Sequence, residues 1–216
     1  MYSSKELKAS RHTQNKSMLM RDVDIISHPH LHIEPMAIDE FTYEAYKRKE
    51  KTYEYKTYKY GVISYGITSY GYDIRLGYKF RVANNKYVTI DPKQMDPAAF
   101  SEVSPENDVF IIQPHQFALA ETVEYIKMPN NVFAICCGKS TIVRCGIIVP
   151  VSPIEPGFNG RITLEIANTT ESPVKLYCGE GICQLVFYET SRRPNVTYDT
   201  KRGKYQNQTG LTLPRA

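Results

Sequence analysis

The chain has 216 residues, a net charge of +4, and 42% hydrophobic and 23% charged residues. These values are typical of a soluble globular protein and allow one domain with an appendage. The basic residues are interspersed with acidic ones rather than concentrated on one face, so we expect no nucleic-acid partner. No apolar run approaches the length of a membrane span and no signal-like segment begins the chain, so we expect no membrane partner.

The five cysteines of the chain are Cys136, Cys137, Cys145, Cys178 and Cys183. An odd number at this low density is not typical of a disulfide-stapled secreted domain. The pattern therefore predicts a reducing, cytoplasmic location. We expect the thiols to be mostly buried and structural.

Residues 1–60 are predicted to form an N-terminal extension that is partly helical or flexible. Histidines alternate in the run HPHLH at 28–32, and alternate histidines on a strand can share a metal ion. A proline interrupts this run and no cysteine or carboxylate lies at ligand spacing, so metal binding is not favoured. The following residues Ile33, Glu34 and Pro35 are interpreted as an extended entry into the domain. The tyrosine–lysine run over 51–60 is interpreted as an exposed, β-prone linker or hairpin rather than as a surface for stacking bases.

The compact domain is predicted over residues 61–216, with strands at nearly even spacing. Segment 73–76 is predicted as a short strand, and 83–107 as a polar excursion broken by prolines. Runs rich in β-formers with turn residues between them predict further strands at 109–112, 117–125, 132–136, 147–151, 161–167, 174–177 and 182–188. Short antiparallel strands in this arrangement indicate a mainly β fold, either a β-barrel or a jelly-roll-like sandwich.

A cationic turn begins at Gly138, where the sequence reads GKSTIVRCG. Glycine lets the backbone approach a ligand closely, and the following residues have helical spacing until Gly146. Ser140 and Arg144 share a face at i and i+4, Lys139 adds a second cation, and a helix N-terminus suits phosphate. Because GKST without the preceding glycine of a P-loop is a weak motif, an ordinary capped surface helix remains the alternative.

Residues 161–167 read RITLEIA, and their alternation of polar and apolar residues is typical of a strand with one packed face. Thr163 and Glu165 therefore project from the same side. A glutamate in such a strand usually faces solvent, because burying a carboxylate is costly. If Glu165 instead faces an enclosed pocket, it is placed to take a proton from water and return it elsewhere, which is worth roughly 10²–10⁴-fold in rate.

The motifs that zinc-dependent deaminases need, H-x-E with a later P-C-x-x-C, do not occur in the chain. Cys136 and Cys137 are adjacent, and Cys178 and Cys183 lie five positions apart. Hydrolytic chemistry on a base is therefore expected to run without a metal bound to the protein.

Several long motifs resemble those of the dCTP deaminases, which belong to the trimeric dUTPase-like superfamily. In chain order they read ISYGITSYGYDIRL, DPK, FALAETVEYIKMP, GKSTIVRCGIIV, PIEPGFNGRITLEIANTT, EGICQLVF and GKYQNQTGLTLPR. They lie within residues 61–215, whereas residues 1–60 match poorly. The resemblance implies a distorted β-barrel or jelly roll of the dUTPase-like type with a few short helices, assembled as a homotrimer with sites at subunit interfaces. It also implies hydrolytic deamination of dCTP to dUTP and ammonia, which feeds dUMP and dTTP synthesis.

The same resemblance assigns roles to individual residues. Glu165 matches the catalytic glutamate, which deprotonates the water that attacks C4 and delivers protons to N3 and the leaving amine. Ser140 and Arg144 match residues close to both the reacting group and the phosphates. The other positions that match nucleotide-binding residues are Lys139, Thr141, Thr163, Leu164, Gln184, Tyr198, Lys204 and Gln208, the last three in a C-terminal tail that closes over the triphosphate.

The resemblance further implies that Mg²⁺ arrives on the nucleotide triphosphate, without zinc and without side-chain metal ligands from the protein. It also raises dTTP as an inhibitor. The chain departs from the family at Pro150, where many relatives carry a polar residue. Because proline removes a backbone donor, the base pocket or its water is expected to differ there.

Two other functions remain open from the sequence. The nearer one is dUTP pyrophosphatase, or an enzyme that performs both steps, because Glu155 lies in a loop where dUTPases carry an aspartate. Phe158 stands where those enzymes place a tyrosine under the uracil, and their glycine-rich C-terminal arm with its phenylalanine is absent, which favours the deaminase. The more distant alternative is a non-catalytic nucleotide-binding regulator, and the presence of Glu165 with Ser140 and Arg144 argues against it.

Overall fold

The computed structural model describes residues 18–39, 54–56, 61–84, 89–150 and 153–215, with the backbone alone for 54–56. Within these ranges most of the regular structure is β-strand, so the prediction of a mainly β fold is confirmed. The described helices are short, at Asp22–Ser27 and Ser140–Val143, with a 3₁₀ turn at Pro97–Ala99. No helix in the described part is long and apolar enough to cross a membrane.

The strands are numbered in chain order. They are β1 (His32–Glu34), β2 (Ala37–Asp39), β3 (Glu54–Lys56), β4 (Gly66–Thr68), β5 (Gly71–Ala83), β6 (Phe100–Val103), β7 (Val109–Ile112), β8 (Phe117–Lys127), β9 (Val132–Gly138), β10 (Ile147–Ile148), β11 (Asn159–Asn168), β12 (Val174–Tyr177) and β13 (Gly181–Glu189).

One large antiparallel sheet organises the molecule. Its strands follow the order β10–β11–β8–β5–β13–β9, and β1, β4 and β6 pair along its sides. β5 holds the sheet together, because its first half pairs with β4 and β13 and its second half pairs with β6 and β8. At the far end, Ala134 of β9 forms a bridge with Ile154, which follows β10. The two ends of the sheet therefore approach each other, and the sheet nearly closes into a barrel, as the sequence predicts.

Alternation along β11 decides which side chains enter the core. Ile162, Leu164 and Ile166 are at most 6% exposed and pack into the main hydrophobic cluster. Thr163 and Glu165 lie on the opposite face, where β11 pairs with β8 and Glu165 stands opposite Leu119. The period-two pattern of the sequence thus places both polar side chains on one face, as expected from strand geometry.

Residues 18–39, the described part of the N-terminal extension, pack against the same core. Ile25, Leu31 and Ile38 are fully buried. The Met20 amide donates to the Phe187 carbonyl at 2.9 Å, and β1 pairs with β8 so that Ile33 stands opposite Ile126. This segment is therefore an integral part of the folded domain. The tyrosine–lysine run over 51–60 lies outside the described residues, apart from the backbone of β3.

A buried ion pair connects this segment to the sheet. The Arg75 guanidinium donates to the Glu124 carboxylate at 2.7 Å and to the Pro35 carbonyl at 3.1 Å. The Tyr72 hydroxyl accepts the Ala37 amide at 3.0 Å and lies 3.2 Å from the Glu124 carboxylate. Because a buried carboxylate is stable only when paired, these contacts favour docking of residues 35–37 in a single position.

Most predicted strands agree with the structure, and the differences have physical reasons. The segment predicted at 73–76 lies within β5, which runs from Gly71 to Ala83. The strand is longer than predicted because β4 and β13 pair with its first half and β6 and β8 pair with its second half. The polar excursion over 83–107 contains β6, which pairs with the end of β5. The strand predicted over 147–151 is too long, because only Ile147–Ile148 forms a strand and the described residues 149–150 lie outside it.

The prediction that the cysteines are mostly buried is wrong for part of the set. Cys178 and Cys183 are buried, whereas Cys137 and Cys145 are exposed and Cys136 is half-buried. Cys137 lies at the end of β9 and Cys145 follows the helical turn Ser140–Val143, where neighbouring elements leave them open to solvent. All five thiols are free.

The histidine run 28–32 supports the local backbone. The His28 Nδ1 atom accepts the amides of His30 and Leu31 at 3.2 and 3.0 Å, and His32 begins β1. Within the described ranges, no cluster of three or more His, Cys, Asp or Glu side chains is arranged to hold a metal ion. The extended entry into the domain that the sequence predicts is present as strand β1.

Candidate active site

A cavity of about 480 Å³ lies between β11 and the C-terminal tail. Most of its wall is aromatic or aliphatic, and the few polar groups include Thr163, Glu165 and Gln208. The remaining lining residues are Phe100, Phe117, Leu119, Pro153, Ile154, Glu155, Phe158, Ile162, Tyr198, Tyr205, Thr212 and Pro214. A largely apolar cavity with a few converging polar groups is the usual form of a small-molecule site.

The Glu165 side chain is the chemically distinctive group of the cavity. It stands on the rigid β11 strand, and its Oε2 atom is buried without a hydrogen-bond partner in the described structure. Burial raises the pKa of the Glu165 carboxyl above its ordinary value, with one backbone hydrogen bond acting in the opposite direction. The sequence left open whether Glu165 faces solvent or a pocket, and the structure places it in the pocket.

The C-terminal tail forms the opposite wall through backbone pairing with the start of β11. The Arg161 amide donates to the Gln208 carbonyl at 2.9 Å, and the Gln208 side-chain amide donates back to the Arg161 carbonyl. Further along, the Thr212 amide donates to the Thr163 hydroxyl at 3.3 Å. Because Gly160 carries no Cβ, the tail can approach to a distance at which a Cβ would lie 2.9 Å from the Gln208 carbonyl oxygen.

Tyr198 anchors the turn that leads into this tail. Its amide donates to the Pro156 carbonyl at 2.8 Å, and its hydroxyl accepts the Tyr205 amide at 3.0 Å. The ring packs edge-on against Phe158, with 5.7 Å between centroids. A Cβ at Gly203 would lie 2.2 Å from the Tyr198 ring, so only glycine fits there. The structure thus brings Tyr198 and Gln208 to the same cavity as Glu165.

Lys139 and Gln184 lie together at a second place, around Asp73. The Lys139 ammonium forms an ion pair with Asp73, and the Gln184 side-chain amide donates to the Asp73 carboxylate at 3.2 Å. Lys139 precedes the helical turn Ser140–Val143, whose last residue is followed by Arg144. Gly146 has a φ of 77° and ends the turn, as the sequence predicts.

The remaining predicted residues divide between the surface and the core. Ser140, Thr141 and Arg144 are exposed on the turn, and Lys204 is exposed on the tail. Leu164 is fully buried on the face of β11 opposite to Glu165. Among the described residues, the lining of the cavity includes no member of the turn 139–144. Within one chain, the Glu165 carboxylate and the turn 139–144 therefore lie in two separate places. The predicted roles of these residues in nucleotide binding stay predictions.

Pro150 lies two residues beyond β10. β10 pairs with β11 so that Ile147 stands opposite Asn168 and Ile148 opposite Ala167, and the pairing ends there. Pro150 is exposed. The expected effect of Pro150 on the base pocket therefore stays a prediction.

Sequence reasoning missed Asp73 as a candidate site residue. It lies in the motif SYGYDIRL and is 5% exposed, and both of its carboxylate oxygens accept hydrogen bonds. A signal was present, because a charged residue within an apolar strand is costly to bury unless it is paired. The partners of Asp73, however, lie 66 and 111 positions away along the chain, and sequence periodicity carries no information about them.

The geometry of the cavity supports proton-transfer chemistry. An ionised carboxylate with an unpartnered oxygen, set against an apolar wall, is available to accept a proton from a bound water. A raised pKa brings the carboxyl closer to neutral pH, at which it can both take and return a proton. The turn at 139–144 offers cations and hydroxyls, which suit the oxygens of a phosphate chain.

The chain is similar to known proteins of one family. A model of the family described as dCTP deaminase-like matches residues 48–190. A dCTP deaminase of Herpetosiphon aurantiacus is 51% identical over 145 residues, covering 67% of this chain and 78% of the relative. One of Campylobacter curvus is 55% identical over 145 residues, covering 67% of this chain and 77% of the relative. Among solved structures, the 2′-deoxycytidine 5′-triphosphate deaminase of Agrobacterium tumefaciens is 22% identical with a TM-score of 0.48, covering 57% of this chain and 40% of that one.

Proposed function

The chain belongs to the dCTP deaminase-like family, and from that premise we propose that it hydrolyses the 4-amino group of dCTP to give dUTP and ammonia. One observation carries the proposal beyond family membership. The Glu165 carboxylate lies in a mostly apolar cavity, with a buried oxygen that has no partner in the described structure. That oxygen is free to accept a proton from an attacking water.

In the proposed reaction, Glu165 accepts a proton from the water molecule while the water oxygen forms a bond to C4 of the cytosine. The carboxyl then delivers that proton to N3, takes the remaining proton from the new C4 hydroxyl and passes it to the amine. The C4–N4 bond breaks, a carbonyl forms at C4, and ammonia leaves. The net change replaces the 4-amino group of the base by a carbonyl oxygen, and no atom is oxidised or reduced. A raised pKa favours the uptake of the proton from water, because a carboxylate whose pKa lies nearer to neutrality is a stronger base than an ordinary glutamate.

We propose that the triphosphate binds to the turn that carries Lys139, Ser140, Thr141 and Arg144, with Mg²⁺ entering as part of the substrate complex. The donors of this turn are cations and hydroxyls, which bind phosphate oxygens rather than a metal ion. A preparation stripped of metals and resupplied with magnesium alone is expected to turn dCTP over at the full rate. A requirement for zinc would contradict this part of the proposal.

The assembly is proposed to be a homotrimer with each site at a subunit interface. Support comes from the separation of the Glu165 cavity and the 139–144 turn within one chain, since a neighbouring subunit can bring the missing half. From the family resemblance we further propose dTTP as an inhibitor. Five free thiols support a reducing, cytoplasmic location.

The substitution Glu165→Gln tests the mechanism, because glutamine keeps the shape of the side chain but does not accept the proton. Turnover of dCTP is expected to fall by roughly 10²–10⁴-fold, while the affinity for dCTP stays within a few-fold. Glu121→Gln is a matched control, since Glu121 on β8 is also buried with an unpartnered Oε2 atom but does not line the cavity. That variant is expected to keep most of its turnover.

Analysis of the products separates the alternatives. Chromatography that finds dUTP alone identifies a deaminase, whereas dUMP and pyrophosphate identify an enzyme that also cleaves the triphosphate. Unchanged turnover in Glu165→Gln would remove this residue from the mechanism. If the wild-type protein binds dCTP but releases no ammonia, it is a nucleotide-binding regulator and the proposed function is wrong.

A further inference from the structure

Asp73 is buried in the middle of the sheet and is occupied at both carboxylate oxygens. Its Oδ2 atom accepts the Lys139 ammonium, and its Oδ1 atom accepts the Gln184 side-chain amide at 3.2 Å. The side chains of Lys139 and Asp73 are only 12% and 7% exposed. Lys139 is therefore held from behind by the sheet and is not a freely moving surface cation.

Strand pairing determines this arrangement. Gln184 of β13 stands opposite Asp73 of β5 on one side and opposite Cys137 of β9 on the other. Lys139 follows the end of β9, so its stem turns back across β13 towards Asp73. The Gln184 amide also donates to the Thr68 hydroxyl of β4 at 3.0 Å. The position of the ammonium is thus set by groups from several rigid strands.

Gly181 leaves room for the lysine stem. A Cβ at this position would lie 3.3 Å from the Lys139 Cδ atom and 2.0 Å from the Ser64 carbonyl oxygen. The absence of a side chain at Gly181 therefore allows the Lys139 stem to pass close to the backbone of β13. The passage is narrow, which restricts the conformations open to the lysine.

We propose that Asp73 is a positioning residue for triphosphate binding, and that it acts by holding Lys139 in place on the 139–144 turn. This inference rests on the proposed function, in which Lys139 contacts the triphosphate. An ammonium has three N–H donors, so the bond to Asp73 leaves two for phosphate oxygens. Lysine is a flexible side chain whose ordering opposes binding, and an ammonium that is already ordered removes most of that cost.

Asp73→Asn is the direct test. The asparagine keeps the size of the side chain and its bond to Gln184, but it loses the charge that holds the ammonium. We expect the KM for dCTP to rise about tenfold while kcat stays within about twofold, because the reacting carboxylate is untouched. The Kd for inorganic triphosphate, measured by calorimetry, is expected to rise by a similar factor.

A double-mutant cycle separates positioning from a general structural role. Lys139→Met weakens triphosphate binding, and adding Asp73→Asn to it is expected to weaken binding no further, because the lysine through which Asp73 acts is gone. Glu102→Gln, which breaks the exposed pair with Arg81, is the matched control and is expected to leave the Kd unchanged. Should Asp73→Asn not fold, Asp73→Glu takes its place, with an expected rise of about threefold in Kd.

Two outcomes would overturn the proposal. One is a Kd for inorganic triphosphate that stays within twofold of the wild-type value in the Asp73 variant. The other is a loss of affinity that persists undiminished in the Lys139→Met background, which would show that Asp73 acts independently of the lysine. Calorimetry with inorganic triphosphate does not require turnover, so a failure of the proposed deamination is recognised separately, by the absence of ammonia from the wild-type protein.

Discussion

At the residue scale, the position of Glu165 on β11 places its carboxylate in the cavity. Glu165→Gln, which is proposed to abolish proton transfer, also removes a carboxylate whose buried Oε2 atom has no described partner. A protein accepts such a cost where the group has a function, because charged groups are otherwise paired or exposed. Stability and activity are therefore expected to change in opposite directions at this position.

The difference in stability between the wild type and Glu165→Gln is expected to depend on pH. Since burial raises the pKa of the Glu165 carboxyl in the folded state, folding favours the protonated form, and wild-type stability falls as pH rises through the folded pKa. Above that pKa, the glutamine variant is expected to melt about 2 °C higher than the wild type. Below the unfolded pKa, the two proteins are expected to melt together.

Melting curves recorded by calorimetry over a series of pH values, at one protein concentration, check this prediction. Glu106→Gln provides a control because Glu106 is an exposed glutamate. A variant that melts lower than the wild type at all pH values would show that the carboxylate stabilises the fold, contrary to the buried, unpartnered oxygen.

At the scale of elements, the C-terminal tail and β11 form one unit. The tail pairs with the beginning of the strand through Gln208 and reaches Thr163 through Thr212. The same strand carries Glu165, so the cavity wall and the Glu165 carboxylate share one rigid support. Closure of the cavity is therefore expected to depend on the close approach of the tail at Gly160.

Gly160→Ala is expected to loosen the tail. The alanine Cβ would lie 2.9 Å from the Gln208 carbonyl oxygen, which is too close. The residue also has a φ of 150°, a backbone conformation that alanine rarely adopts. We expect the KM for dCTP to rise about tenfold, with faster cleavage of the tail by protease. Kinetics and limited proteolysis of the same preparation check both effects.

Gly61→Ala is the matched control for the backbone effect. Gly61 also has a positive φ, of 86°, but a Cβ there would meet no atom within 4 Å. Both variants are expected to lose about 1 kcal/mol of stability from the backbone, whereas only Gly160→Ala is expected to change KM. An unchanged KM in Gly160→Ala would mean that the tail does not take part in binding.

At the scale of the whole molecule, the two halves of the proposed site lie apart. Glu165 lies in the cavity, whereas Ser140 and Arg144 are exposed on a turn that does not contribute to its lining. A cyclic trimer places one surface of a subunit against a different surface of the next. A site completed between neighbouring subunits follows if those two surfaces meet.

Mixing two inactive variants tests this arrangement. Glu165→Gln lacks the carboxylate and Arg144→Ala lacks the cation, so each alone is expected to be inactive. In oligomers formed from equal amounts of both, about a quarter of the interfaces combine an intact carboxylate with an intact arginine. Activity of the co-expressed pair is therefore expected to recover to about a quarter of the wild-type value.

The control pairs Arg144→Ala with the double variant Glu165→Gln, Arg144→Ala, in which no subunit supplies the arginine. That mixture is expected to stay inactive. If the first mixture also stays inactive, the site is completed within one chain, and the interface arrangement is wrong. Sedimentation of the wild-type protein gives the mass of the assembly independently.

The fold class and the face of Glu165 were predictable from the sequence because both depend on local periodicity. Strand alternation is a property of neighbouring residues, so RITLEIA alone places Thr163 and Glu165 on one side. Strand lengths were less predictable: β5 extends from Gly71 to Ala83 because several different strands pair along it. The exposed cysteines were wrongly predicted for a similar reason, since burial depends on which elements cover them.

By itself, the sequence determined the mainly β architecture, the turn that ends at Gly146, and the common side of Thr163 and Glu165 on their strand. Only the tertiary structure decided that Glu165 faces a cavity closed by the tail, and that Lys139 is held by Asp73 across 66 positions of chain. The physical reason is that periodicity and turn chemistry act between neighbours. Burial and ion pairing, in contrast, depend on contacts that exist only after distant strands have come together.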